Sequence, residues 1–189
     1  HVRGLDFARR RLPEAQFFQM DARQLPFRAA FDVVGAFDVL EHIDEDETVL
    51  GQLFEAVRPG GGLMLTVPQH RWLWSAVDDL SGHKRRYAPG ELSTKVKRAG
   101  FEVVLDTSFV SVLLPLMWAT RKTSRATSID DVMAQFDVHP LVNAAMYIAL
   151  RAEQVLIRAP GVRLPWGASS LVIARRPDVD ALPRERAQS

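Results

Sequence analysis

The hydrophobic positions of the chain fall into short runs separated by polar, glycine- or proline-containing joints. Val2–Leu5 and Gln16–Met20 read as two short strands, with a basic helical piece, Phe7–Leu12, between them. Phe31–Phe37 (FDVVGAF) is an apolar run with β-branched residues, the pattern of a strand covered on both faces. An acidic helix start follows at Asp44–Glu47, where carboxylates complement the N-terminal end of the helix dipole. Val49, Leu50, Leu53, Phe54 and Val57 recur at helical spacing, and RPGGG stops the helix. Gly62–Pro68 is the next strand. Pro89–Ala99 reads as a helix with proline in its first turn and Gly100 past its end, and Phe101–Thr107 as another strand. This alternation predicts an α/β fold with a mostly parallel, doubly wound sheet.

After Ser108 the pattern changes. Phe109–Ala119 is apolar for about 11 residues, short of the roughly 20 that a membrane-spanning helix needs, and so predicts a buried or interfacial helix. A polar stretch, Arg121–Asp131, leads to a second helix over Leu141–Ile157, with Leu141, Ala145, Ile148, Ala152 and Val155 as its apolar stripe. Ala168–Ala174 is the last strand, and the polar residues from Pro177 onward predict a disordered tail. The expected organisation is one domain over residues 1–176, with a helical insert at 109–160 and a tail at 177–189.

Composition narrows the function classes. The 189 residues are 47% hydrophobic, enough for one good-sized core. With 24 basic against 23 acidic residues the net charge is +1, which provides no global field for nucleic acid or an anionic membrane. The absence of cysteine excludes disulfides, thiolate catalysis and cysteine-ligated metals, and points to a reducing compartment, the cytoplasm. His42, His70 and His83 lack the close spacing of a zinc site, so no metal is expected.

Four segments in order, GLD, FQMDARQLPF, FDVVGAFDVLEHIDED and RPGGGLMLTVP, resemble the class I S-adenosylmethionine-dependent methyltransferases. The resemblance runs from Val2 to Thr107 and is closest to the small-molecule group that includes the ubiquinone-biosynthesis-like enzymes. It implies a Rossmann-like methyltransferase fold, S-adenosylmethionine as cofactor, S-adenosylhomocysteine as product and a small-molecule acceptor. It also implies site roles. Asp6, ending the second strand of that fold, would accept hydrogen bonds from both ribose hydroxyls. Asp21 would accept from the adenine amino group while the Ala22 N–H faces a ring nitrogen, and Phe37 would lie against the cofactor. The plain alternative is that Asp6 and Asp21 are strand-ending turn residues, for which Asp is a common choice.

The glycine loop that should precede GLD is missing. In this family its strand lies at the centre of the sheet, so its absence would leave apolar edges exposed. The resemblance therefore implies chain upstream of His1. The interval from Asp6 to Asp21 is also short of the family's by about two helical turns, which implies a deletion or a lost stretch between Asp6 and Phe7. A similar joint is suspected at Arg121–Ser128.

His42, in LEHID, would stand near the methyl group, as a general base or as a histidine that orders the loop. Gln69–Tyr87 (QHRWLWSAVDDLSGHKRRY) follows the next strand at the end of the sheet where ligands bind. Trp72 and Trp74 could form a wall for substrate, and His83, Lys84, Arg85, Arg86 and Tyr87 could hold an anionic group. Against this stands the reading of two packed tryptophans and a solvated basic turn. The acceptor so implied is small, with an anionic, a lipid-linked and a sugar-linked molecule all open. The two apolar helices could roof it, touch a membrane surface without crossing it, or simply pack on the sheet. Two other functions stay open: a nicotinamide-dependent oxidoreductase, which DARQLPF and LEH do not favour, and a non-catalytic binding module of the same fold.

Overall fold

The computed structural model describes residues 2–123 and 139–178. Its elements are helix α1 (Val2–Arg11), strand β1 (Phe31–Phe37), a 3-10 turn (Leu40–His42), α2 (Asp46–Ala56), β2 (Val57–Pro68), a second 3-10 turn (Arg71–Leu73), α3 (Ala76–Ser81), α4 (Glu91–Arg98), β3 (Glu102–Phe109), α5 (Leu114–Thr123), α6 (Pro140–Arg158) and β4 (Ser169–Arg175). The polar stretch 124–138 and most of the expected tail, from 179, lie outside the described residues, as does most of the suspected joint at Arg121–Ser128.

The four strands form one sheet in the order β1-β2-β4-β3. β1 and β2 pair in parallel, while β4 runs antiparallel to both β2 and β3. The sheet is thus mixed. β1, β2 and β3 share a direction, as the strand–helix alternation predicts, and β4 returns antiparallel between β2 and β3, so the sheet is not purely parallel. Alternation along a sequence indicates which strands have helical crossovers; it does not reveal that the last strand inserts into the sheet against its neighbours.

Side-chain period sorts the two faces. Leu63, Leu65 and Val67 of β2, with Val172 and Ala174 of β4, point to one face and meet Val49, Leu50 and Leu53 of α2 and Leu92 and Val96 of α4. Each buried leucine there contributes about 1.5–3 kcal/mol. On the other face Met64, Leu105, Leu171 and Ile173 lie beneath α6, across a groove of about 980 Å³. β1 is an edge strand among the described residues, and its Val33 is 65% exposed.

Two predicted strands are corrected. Val2–Leu5 is not a strand: α1 runs unbroken through Asp6 and Phe7, with Arg9, Arg10 and Arg11 in its last turn. Basic side chains complement the C-terminal end of a helix, and the Asp6–Arg9 ion pair at 3.6 Å bridges neighbouring turns. Gln16–Met20 joins no strand, and Phe18 and Met20 are exposed. A strand needs a partner for its backbone groups, and these five residues have none among the described residues. The helix expected from Phe109 begins only at Leu114, because β3 continues through Phe109 and Val110 then turns at a φ of 58°. The carboxylate of Glu153, buried on α6, accepts hydrogen bonds from the N–H groups of Ser111 and Val112 and holds this turn to the insert.

A buried polar knot ties α2 to the chain after β2. Asp46 accepts from the Tyr87 hydroxyl at 2.8 Å and from Lys95 at 2.6 Å, with Arg85 3.2 Å away. Burial pushes the Asp46 carboxyl up, but Lys95, Tyr87 and Arg85 together bring it below its ordinary value of 3.8. A depressed carboxyl stabilises the fold fully above the unfolded value and loses that contribution as pH falls through the folded one. Stability measured by urea unfolding should therefore fall as the pH drops below about 4, and Asp46→Asn should be less stable at neutral pH with a flatter acid limb. A second outcome concerns Gly167, where an added Cβ would run into the Phe109 carbonyl oxygen. Backbone cannot swing aside as a side chain can, so Gly167→Ala should cost about 1–3 kcal/mol, read as a lower melting temperature.

Candidate functional site

The candidate site gathers at the C-terminal ends of β1 and β2, where open α/β sheets receive ligands. β1 ends at Phe37, which is 56% exposed and lays its ring over Gly35, so that a Cβ there would meet the ring at 2.8 Å. Asp38 then turns the chain at a φ of 52° and accepts a hydrogen bond from Thr66 on β2. A non-glycine residue in this region is uncommon and marks a turn held in place by its surroundings.

The loop carrying Asp21 is brought to this end by contacts with α2. Arg23 bonds the Asp21 carboxylate with its side chain and its backbone N–H, and reaches Glu45 at 3.0 Å with its other arm. Leu25 N–H donates to Gln52, while Ala22 and Leu25 pack against the core. The hydrogen bonds from Arg23 hold the exposed Asp21 carboxyl down at about 2, so it is an anion at all ordinary pH values. Arg23 and Leu25 thus tie the loop of Asp21 and Ala22 to α2, the helix that follows Phe37 and the LEH turn. Asp6 is not with them: it sits exposed on α1 rather than at the end of a strand.

The LEH turn exposes His42 and buries Glu41 completely. Among the described residues neither carboxylate oxygen of Glu41 has a hydrogen-bond partner beyond its own backbone. Burial, with a smaller push from Asp38, raises this carboxyl to about 7. His42 and His83 are far apart in sequence, but their rings meet edge to face with centroids 4.7 Å apart. Glu41, His42 and His83 each offer a ligand atom within 4.8 Å of the others. The carbonyl of Glu41 also accepts the N–H of Lys84 at 2.7 Å, which fastens the two segments together.

The basic turn is largely internal. Arg86 is buried against Asp78, 2.7 Å away, and also donates to the Gln69 carbonyl. Asp78 in turn accepts from His83 at 2.9 Å and caps α3 through Ser75. Tyr87 is fully buried on Asp46. Arg86 and Tyr87 thus brace the loop instead of lining its mouth, because a buried guanidinium and a buried hydroxyl both require fixed partners.

The tryptophans separate. Trp74 donates to Asp79 at 3.0 Å, whereas Trp72 joins Trp118, Trp166, Leu114 and Pro115 around a cavity of about 450 Å³. Behind it, buried His70 lies between Trp72 and Trp166, with ring centroids 5.0 and 5.6 Å away. Burial first, and the charge of Arg86 second, lower its pKa and keep the imidazole neutral. One ring nitrogen bonds the Gly167 backbone, and Nε2 has no partner. Glu41, His70, Trp118 and Trp166 escape sequence reasoning because only the fold brings them together. Asp78 carried a readable signal, its capping-box spacing from Ser75.

A methyltransferase-domain profile matches residues 2–106. A Mycolicibacterium smegmatis protein named a probable S-adenosylmethionine-dependent methyltransferase is 31% identical over 113 residues, covering 54% of this chain and 44% of that protein. The chain thus spans less than half the length of that curated relative. Among solved structures, the [4+2]-cyclase SpnF superposes with a TM-score of 0.55 at 24% identity, over 92% of this chain and 60% of that one. A Bacillus halodurans protein described as a methyltransferase superposes at 0.50 with 16% identity, over 87% of this chain and 79% of its own. These two likenesses bear on the fold alone. The profile takes in more than half of the residues, everything from the first helix to β3, and the chain belongs to the methyltransferase-domain family.

Proposed function

We propose that the chain carries out S-adenosylmethionine-dependent methyl transfer to a small-molecule acceptor. The observation that supports this most is the meeting of the Asp21 loop, the exposed Phe37 ring and the LEH turn at one sheet end, in a chain of this family. The name of the mycolicibacterial relative points the same way.

The residues fit an adenosine on the purine side. Asp21 is anionic and about half exposed, beside Ala22, and Phe37 offers a free ring face. On the sugar side the fit is incomplete, since Asp6 projects from a helix. When bound, S-adenosylmethionine supplies an electrophilic methyl on a positively charged sulfur. The protein's part is then to orient the acceptor and exclude water, and positioning can supply most of the rate for an acceptor that is already nucleophilic. In this reading exposed His42 is the residue that receives a proton from a hydroxyl or amine acceptor.

The apolar cavity of Trp72, Trp118 and Trp166 suits the body of the acceptor. Among the described residues no helix is long and apolar enough to cross a membrane, yet α6 leaves Leu141, Tyr147, Ile148 and Val155 well exposed. Those side chains favour a lipid-linked acceptor over an anionic one, because Arg86 is already committed to Asp78.

Calorimetry with S-adenosylhomocysteine on the full-length protein tests the reading. Binding is expected, and Asp21→Ala should weaken it by the about 1.5–3 kcal/mol of a charged hydrogen bond, roughly 10- to 100-fold. No binding to the unaltered protein would sink the proposal. Asp6→Ala decides the ribose role separately: weakened binding assigns it, and unchanged binding removes it.

A further inference from the structure

Among the described residues the fully buried Glu41 carboxylate has no hydrogen-bond partner on either oxygen beyond its own backbone. Buried side-chain oxygens are normally bonded, and a carboxylate stripped of water without compensation is costly, so an orphan of this kind calls for a missing partner. The neighbours of Glu41 indicate its nature. His42 and His83 bring ring nitrogens to within 4.8 Å of it and of each other. Ligands of a single ion bound at about 2.0–2.2 Å lie some 3–4 Å apart, so about an ångström of side-chain movement closes the triangle.

The surroundings of His83 match what a ligating histidine needs. Its Nδ1 is engaged by Asp78 at 2.9 Å, which leaves Nε2 as the nitrogen free to ligate. A carboxylate on the far nitrogen fixes the tautomer and the ring orientation of metal-bound histidines. Asp78 is itself immobilised by Arg86 and by the N–H of Ser75. The Lys84–Glu41 backbone bond holds the two ligand-bearing segments in register. Glu41 and His42 come from one tight turn, and exposed His42 opens the group to solvent.

We propose that Glu41, His42 and His83 bind one divalent transition-metal ion, with the remaining coordination positions open toward solvent. Two imidazoles and one carboxylate suit zinc, manganese or ferrous iron, and do not suit magnesium or calcium, which take oxygen ligands. The site is separable from cofactor binding, because its ligands are not those assigned to the adenosine; with the ion bound, His42 serves as a ligand and not as the proton acceptor.

The test uses full-length protein without a polyhistidine tag, stripped with chelator and dialysed against Zn²⁺ or Mn²⁺, with bound metal measured by elemental analysis. One equivalent per chain is expected for at least one of the two ions. Glu41→Gln keeps the side chain's size and removes a buried charge, while His42→Ala alters an exposed residue, so both variants should fold, as circular dichroism will verify. Each should weaken binding by more than the roughly 10- to 100-fold typical of losing an outer-shell partner. Failure of both ions to saturate at one equivalent overturns the proposal, as does undiminished binding in either variant. Calorimetry with S-adenosylhomocysteine on the same samples separates the two readings: metal uptake without cofactor binding keeps this site and removes the methyl-transfer reading, and the reverse keeps only the latter.

Discussion

The ion pair between Asp78 and Arg86 is the constraint on which the candidate site depends. Both side chains are buried, and removing one partner of such a pair costs about 3–5 kcal/mol, because the other charge is stranded in the interior. The chain after β2 is thereby held in one arrangement. Asp78 reaches back to Ser75 and caps α3, and it reaches forward to orient His83. Arg86 reaches back to the Gln69 carbonyl, so the whole excursion from Gln69 to Tyr87 closes on itself. Tyr87 completes the closure by bridging Gln69 on the sheet side and bonding Asp46 on the helix side.

This closure explains how one loop serves two different surfaces. Its inner side is charged and fully paired. One outer side presents His83 to Glu41 and His42, and another presents Trp72 to Trp118 and Trp166 across an apolar cavity. His70 stands where the two meet, at a φ of 64°, kept neutral by burial and by the nearby Arg86. Strained, buried and incompletely bonded groups are costly to fold, and here they cluster at the strand ends where the family places its chemistry.

The local periodic elements were legible in the residues. FDVVGAF has the β-branched and aromatic content of a strand, and Val49, Leu50 and Leu53 repeat at a helical interval, although α2 ends at Ala56 and both Val57 and the expected stop RPGGG belong to β2. Phe37 ends β1, and the loop of Asp21 and Ala22 is tied to α2 through Arg23 and Leu25. The reading failed at the N-terminal end, where Val2–Leu5 has strand-like residues but no strand to pair with. Leu5, Ala8 and the three arginines then favour a helix, and Asp6 goes with it.

What the sequence by itself determined is what depends on near neighbours along the chain: the period of apolar positions, the caps and breakers, the charge balance and the ordered motifs of the family. Tertiary structure alone decided the reversal of β4 within the sheet, the burial of Arg86 and Tyr87, and the meeting of Glu41 with two histidines from separate segments. The physical reason is that burial and pairing are properties of the folded interior, where a charge must find its counterpart across the chain. A basic run written as HKRRY looks uniform in one dimension, yet the fold sends His83, Arg85, Arg86 and Tyr87 to four different tasks.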